Sequence, residues 1–225
     1  MVKYGLVIDT IRCIGCRTCV AACMVENFYQ PENPWNFIIE REVGKYPNVR
    51  RTFVPMNCMH CEDPPCKRAC DIVGANAITK NEYGIVLIDY KKCTGSRYCI
   101  AACPYGAPQY IDDLKKLYPK ETTPYESILY ENRHPVHRKE ENTVEKCTLC
   151  WHRIEKAIKE GRKPGEDQES TPACVAVCPV KARYFGDLDD PNSEVSKLIA
   201  ERKATQLKKE YGTRPQVYYI LEGGG

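Results

Sequence analysis

The sequence predicts an α+β chain of two small modules, one nested inside the other, with loop and helix insertions. Three observations predict it: the cysteines fall into four ordered groups, two stretches of the chain repeat, and only one of the links between groups is short. At 225 residues there is room for one large or two small domains. The 15 cysteines are an odd number, which excludes a fully paired disulfide framework, and the chain is too long for a small disulfide-stapled scaffold. Net charge is +3 with acids and bases interspersed, so there is no basic stripe to follow a phosphate backbone and no nucleic-acid partner is expected. No apolar run reaches the ~18 residues that span a bilayer, and MVKYGLVIDTIRC lacks the parts of a cleavable leader. Export or membrane attachment is therefore expected to come from a partner.

The first group, Cys13-x2-Cys16-x2-Cys19-x3-Cys23, has the spacing of bacterial ferredoxins, in which three close thiolates grip one iron–sulfur cube and the fourth reaches another. A tight loop turns three sulfurs inward, while the last lies a helical turn further on and faces the neighbour. The remaining groups are Cys58-x2-Cys61-x4-Cys66-x3-Cys70, Cys93-x5-Cys99-x3-Cys103, and Cys147-x2-Cys150 with Cys174-x3-Cys178. The third is one thiol short. Val7-Ile8-Asp9-x3-Cys13-x-Gly15-Cys16-Arg17-x-Cys19-x-Ala21-Ala22-Cys23 aligns without a gap against Leu87-Ile88-Asp89-x3-Cys93-x-Gly95-Ser96-Arg97-x-Cys99-x-Ala101-Ala102-Cys103, which sets Ser96 in a cysteine's place. A looser repeat aligns Pro64-Pro65-Cys66-x3-Cys70 with Pro172-Ala173-Cys174-x3-Cys178, followed by Ala75–Ile78 and Ala182–Phe185. Zinc also binds CxxC pairs, but zinc sites rarely recur in the triplet spacing, and a thioredoxin-like site needs one CxxC in a βαβ context.

Between Cys70 and Cys93 the chain runs through a short apolar stretch, a polar turn at Lys80-Asn81-Glu82-Tyr83-Gly84 and a β-rich segment at Ile85–Ile88, a hairpin pattern. The gaps after Cys23 and Cys103 are long, aromatic and charged, so groups two and three form the simplest compact module, with groups one and four around it. The expected units are 1–50 and 141–190 (outer module), 51–110 (inner module), 111–140 (insertion loop) and 191–225 (C-terminal helix and strand). With the last cysteine of each run crossing over, the sets are Cys13, Cys16, Cys19 and Cys178; Cys147, Cys150, Cys174 and Cys23; Cys58, Cys61, Cys66 and Cys103; and Cys93, Cys99 and Cys70. A tandem pairing, one with two and three with four, stays open on spacing alone.

The ladder, together with Trp151-His152-Arg153 after Cys147-Thr148-Leu149-Cys150, His60 before Cys61, Pro172-Ala173-Cys174, Cys178-Pro179, Phe185-Gly186-Asp187-Leu188-Asp189-Asp190-Pro191 and Gly212-Thr213-x-Pro215, resembles the electron-transfer subunit of dimethyl-sulfoxide-reductase-type molybdoenzymes. The thiosulfate, polysulfide, tetrathionate and arsenate reductase branch fits best. The resemblance covers nearly the whole chain. It implies nested pairing, a wire of four clusters, a large molybdopterin (molybdenum or tungsten) catalytic subunit, and a quinone-linked membrane subunit or soluble carrier at the other end. It also implies the extracytoplasmic face of a membrane, with a cytoplasmic complex as the alternative. The chain departs from the family in Asp71 after Cys70, where proline is usual, in a longer segment from Pro104 to Glu145, and in Ser96.

A serine hydroxyl is far less acidic than a thiol. Three [4Fe-4S] clusters and one [3Fe-4S] cluster are therefore expected, the latter at Cys93, Cys99 and Cys70; the alternative is a four-iron cube with Ser96 or solvent as ligand. His60 is expected to pack rather than ligate, and Trp151 to lie in the core or between clusters. Tyr105, Tyr110, Tyr118, Tyr125 and Tyr130 are offered either to a partner or to the insertion's own domain. Ser193 is placed to cap a helix whose face holds Val195, Leu198, Ile199 and Leu207 and which Gly212 follows; Gln216–Leu221 follow as a strand and Gly223–Gly225 as a frayed tail. No nucleophile or general base is evident, so no catalysis is expected of this chain alone. A free-standing polyferredoxin and, more distantly, a zinc-stabilised interaction module are the alternatives.

Overall fold

The computed structural model describes residues 2–114 and 132–222. Tyr118, Tyr125, Tyr130 and Gly223–Gly225 lie outside them. β1 (Tyr4–Asp9) is buried at every position and accordingly takes the centre of a three-stranded sheet. It pairs antiparallel with β8 (Arg183–Asp187) and parallel with β9 (Val217–Ile220). Three hairpin-like ribbons complete the β structure of the described residues: β2 (Asn36–Lys45) with β3 (Asn48–Asn57), β4 (Ile78–Lys80) with β5 (Val86–Ile88), and β6 (Gln109–Ile111) with β7 (Thr143–Glu145). The β4–β5 pair is the hairpin expected between the second and third cysteine groups. The β2–β3 ribbon was not expected; its outer half is solvent-exposed on both faces, so no buried alternation marks it in the sequence.

The helices are short, and each carries cysteines or begins beside one, apart from the C-terminal helix. They are α1 (Thr18–Asn27), α2 (Pro65–Ile72), α3 (Tyr98–Ala102), α4 (Trp151–Lys159), α5 (Ala173–Ala176) and α6 (Glu194–Glu201). Proline decides where several of them stop, because it disfavours α conformation in the residue before it. Cys103 before Pro104 is extended, and α3 ends at Ala102; α5 ends at Ala176, ahead of Cys178-Pro179. Asp71 stands where a proline is usual, and α2 runs on past Cys70, with Asp71 paired to Lys67 at 2.6 Å one turn earlier.

The repeats seen in the sequence recur in backbone geometry. Gly15 and Arg17 lead into α1 with φ of 69° and 61°, and Gly95 and Arg97 lead into α3 with 66° and 63°. Asp9 N–H donates to the Ala182 carbonyl at 2.8 Å, and Asp89 N–H to the Ala77 carbonyl at 2.9 Å. Ile8 pairs with Arg183 as Ile88 pairs with Ile78. The counterpart of Ala182 is thus Ala77. α1 packs on α5, and α2 packs on α3.

The main core gathers Leu6, Ile8, Met59, Ile85, Leu149, Ile154, Val217 and Tyr219. Two smaller clusters include thiols as core members: Cys66, Cys70 and Cys99 with Ala77, Ile78, Val86 and Val144, and Cys23, Cys58 and Cys147 with Tyr29, Trp35 and Ala107. At the C-terminus Ser193 caps α6, its hydroxyl accepting from Ser196 N–H at 3.2 Å. The helix ends at Glu201 and does not extend to Leu207. Val195, Leu198 and Ile199 pack with Val7 and Ile220, whereas Leu207 packs on the main core, so the chain must turn between them; Lys203 does so with φ 49°. Gly212 instead closes a 3-10 turn at Lys209–Tyr211.

Candidate metal centre

Three cavities are lined by thiols. One is bounded by Cys13, Cys16, Cys19 and Cys178, a second by Cys58, Cys61, Cys66 and Cys103, and a third by Cys70, Cys93, Cys99 and Ser96. A fourth set, Cys23, Cys147, Cys150 and Cys174, is wholly buried, and Cys23 is surrounded by the other three. Asn27 ties this set together, its side-chain amide reaching Cys23 Sγ at 3.5 Å and Cys150 Sγ at 3.8 Å. For brevity the sets are sites 1 (Cys13), 2 (Cys23), 3 (Cys58) and 4 (Cys70). Site 1 neighbours site 2 through Cys19 and Cys174, and site 2 neighbours site 3 through Cys147 and Cys58. Sites 3 and 4 share α2, which carries Cys66 and Cys70, and α3, which carries Cys99 and leads directly into Cys103.

The loops are built to present sulfur to backbone N–H groups. Ala77 N–H meets Cys70 Sγ at 3.2 Å, and Ala182 N–H meets Cys178 Sγ at 3.2 Å. His60 N–H reaches Cys58 Sγ at 3.5 Å, as Leu149 N–H reaches Cys147 Sγ at 3.4 Å, each from a residue with positive φ. Such donors favour a thiolate over a thiol. Burial acts the other way, pushing Cys61 and Cys147 up to about 12 and Cys99 to about 11, with neighbouring thiols adding to the rise. Buried sulfur that ionises reluctantly by itself, held by preset donors around a cavity, suits a metal that displaces the thiol proton. No three His, Cys, Asp or Glu side chains among the described residues converge closely enough to hold one metal ion. The sulfurs stand round a volume, as the cube-shaped Fe–S cores require.

The ends of this series differ from its middle. Cys16 and Ser96 are solvent-exposed, while the thiols of the second and third sites are buried except for half-buried Cys103. Cys16 Sγ accepts from the Thr18 hydroxyl at 3.3 Å, which lowers its pKa; position 98, the equivalent of 18, is Tyr98, whose ring is exposed.

Other features singled out in the sequence resolve into packing. His60 is buried, and its Nδ1 accepts from Val86 N–H at 3.1 Å, which anchors the Cys58–Cys61 loop on β5. Trp151 packs beside Tyr83 at 5.6 Å between ring centroids. His152 and Arg153 bind Glu26 of α1 at 2.6 Å and 2.5 Å, joining the fourth cysteine group to the first. Tyr105 is buried, its hydroxyl 2.7 Å from the Thr213 hydroxyl, and Tyr110 lies under the Arg97 guanidinium at 3.6 Å. Residues that sequence reasoning passed over are Asn27, Asn36, Asn57, Lys146 and Arg183. The signal for the last two was a cation close to a cysteine motif, Lys146 directly before Cys147 and Arg183 five residues after Cys178.

Residues 49–123 match the model of the 4Fe-4S dicluster domain. Across almost the whole chain there are curated relatives. The chain is 40% identical to a subunit of the selenate reductase of Mesobacillus selenatarsenatis, over 97% of this chain and 72% of that one. It is 36% identical to the arsenate respiratory reductase iron–sulfur subunit of Shewanella sp. ANA-3, over 99% and 97%. The chain belongs to the iron–sulfur subunits of the molybdopterin oxidoreductases. Like the others of this family it is an electron-transfer subunit, and the 4Fe-4S dicluster domain and the 15 cysteines support iron–sulfur clusters as its cofactors. A subunit of the tetrathionate reductase of Salmonella typhimurium, a further member, is 31% identical over 97% of this chain and 72% of its own length.

Proposed function

We propose that this chain relays single electrons through four clusters, to or from a molybdopterin-containing catalytic subunit at one end and a quinone-linked membrane subunit or soluble carrier at the other. The observation that carries it is the order of the thiol sets, in which each of four sets neighbours the next and the two outermost reach the surface at Cys16 and Ser96. In this proposal the ligands are Cys13, Cys16, Cys19 and Cys178; Cys23, Cys147, Cys150 and Cys174; Cys58, Cys61, Cys66 and Cys103; and Cys70, Cys93 and Cys99. The grouping around common cavities, the β1–β8 and β4–β5 pairings and the packing of α1 on α5 and α2 on α3 all support a nested arrangement over a tandem one. Sites 1 to 3 offer four thiols and are assigned [4Fe-4S]; site 4 offers three thiols and a hydroxyl and is assigned [3Fe-4S].

A bound cluster supplies reversible one-electron chemistry, with a potential set by its type, charge, hydrogen bonds and exposure. The chain's own residues set those last three. Burial covers every thiol of site 2 and all of site 3 but half-buried Cys103, while N–H donors to sulfur favour the electron-rich state. The relatives named above are subunits of selenate, arsenate and tetrathionate reductases, which supports a catalytic partner without naming this one's substrate. The extracytoplasmic face of a membrane is our proposed location, by likeness to enzymes of this kind that cross folded with a signal-bearing partner. No helix among the described residues is long and apolar enough to span a bilayer.

The test is purification of the chain under anaerobic conditions from its native source. Recovery with a larger molybdenum- or tungsten-containing chain is the expected result; recovery as an isolated, cluster-loaded protein would favour a diffusing polyferredoxin. For the pairing, Cys178→Ser is expected to disturb the site of Cys13, Cys16 and Cys19 and leave the third site's spectrum intact.

A further inference from the structure

Among the described residues, two cations are buried in the interior without a carboxylate to balance them. Arg183 is 3% exposed; its guanidinium donates to Asn36 Oδ1 at 2.7 Å, to Asn57 Oδ1 at 3.4 Å and to Cys174 Sγ at 3.5 Å. It also lines the cavity of site 1, so it stands between sites 1 and 2. Lys146 is 1% exposed; its ammonium donates to the carbonyls of Val86 and Cys147, and it lines the cavity of site 3, so it stands between sites 2 and 3. Among the described residues neither makes an ion pair with Asp or Glu. Buried charges without a partner are prohibitively costly, so an opposite charge is required close by. The contrast is Lys139, also buried, which has Glu145 at 2.5 Å.

We infer that Arg183 and Lys146 are counter-charges to the clusters on either side of them, set between consecutive sites to raise the reduction potentials of sites 1, 2 and 3. This rests on the four-cluster reading above. An iron–sulfur cube with four thiolates is a net anion, and each added electron makes it more negative. A fixed cation between two such groups stabilises the reduced state of both and softens the repulsion between them. The interior's low dielectric makes that effect large and unscreened by salt. Site 2 is flanked by both cations, and site 4 by neither, its neighbouring Arg97 being exposed. The wire therefore has a raised middle, where an electron is held more tightly than charge repulsion along the row would otherwise allow.

The charge is separable from the packing by comparing Arg183→Met with Arg183→Lys, and Lys146→Met with Lys146→Arg. Each protein is assayed for iron and sulfide and titrated potentiometrically with paramagnetic resonance detection. Arg183→Met is expected to lower the reduced-to-oxidised ratio of sites 1 and 2 at a fixed potential at least tenfold, about 59 mV for a one-electron couple, with site 4 unmoved. Lys146→Met is expected to do the same at sites 2 and 3, and the charge-keeping variants to stay near the parent. If a Met variant loses iron at its two flanking sites while the charge-keeping partner stays loaded, the counter-charge role is equally supported. It is overturned if the Met and charge-keeping variants behave alike, whether both titrate as the parent or both lose iron. Failure of the four-cluster reading shows separately, as a parent protein whose own iron content does not fit four clusters.

Discussion

Ser96 is the residue on which the chemistry of one site turns. It lines the same cavity as Cys70, Cys93 and Cys99 and follows Gly95 in a loop whose backbone matches that of Cys16, so the geometry is ready for a thiolate that the side chain does not supply. Ser96→Cys is expected to add about one iron per chain and to abolish the oxidised three-iron signal. An unchanged iron count and spectrum would mean that Ser96 or solvent already completes a cube. A second residue-scale case is Glu26. Burial opposes its ionisation, yet hydrogen bonds from His152 and Arg153 and their charge hold its carboxyl down at about 2. A depressed carboxyl contributes stability above its unfolded value near 4.5 and loses it as pH falls towards 2. Glu26→Gln is thus expected to cost about 2–3 kcal/mol at neutral pH, with the difference from the parent shrinking below pH ~4 in denaturant titrations. Equal stabilities at neutral pH would show that this bridge between α1 and α4 contributes nothing.

At the scale of elements, the cysteine loops depend on backbone shapes that only a few residues adopt. A Cβ on Gly95 would collide with the Asn142 carbonyl, a backbone atom rather than the end of a flexible side chain, and φ there is 66°. On Gly15 it would meet the ring of Phe53, a side chain. Gly95→Ala is expected to destabilise the chain by about 2–4 kcal/mol and to strip iron from site 4 first, read by thermal melting and cluster spectra. Gly15→Ala is expected to be milder, and a reversed order would contradict the equivalence of the two loops. The gapless repeat made these loops legible in the sequence, as the polar turn at Lys80–Gly84 did the β4–β5 hairpin and Ser193 the α6 cap, because turn chemistry and cysteine spacing are local. The β2–β3 ribbon was illegible because solvent-exposed strands carry no burial pattern, and the end of α6 was misplaced because Leu207 belongs to a different core from Val195. The partners of Asn27 and Arg183 come from far along the chain and leave no periodic trace.

For the whole molecule, the two ends of the chain meet at β1, where the N-terminal strand takes β8 on one side and β9 on the other. Tyr219 locks this sheet to the β2–β3 ribbon, its hydroxyl donating to the Pro55 carbonyl at 2.9 Å. The outer cysteine groups are thereby brought together across most of the sequence, while groups two and three close on each other locally. Spacing left the pairing as alternatives, and this joining of the outer groups is what favours the nested one. Buried thiols are members of three of the core clusters, so on the proposed ligation the clusters contribute directly to folding free energy. The central claim is that the ladder carries four clusters, one of them short of a thiolate. It is tested most directly by iron and acid-labile sulfide per chain on anaerobically purified protein, together with the paramagnetic resonance spectrum of the oxidised form. The account predicts about 15 irons and a signal from an oxidised three-iron centre; zinc without labile sulfide, or iron sufficient for only two clusters, would contradict it.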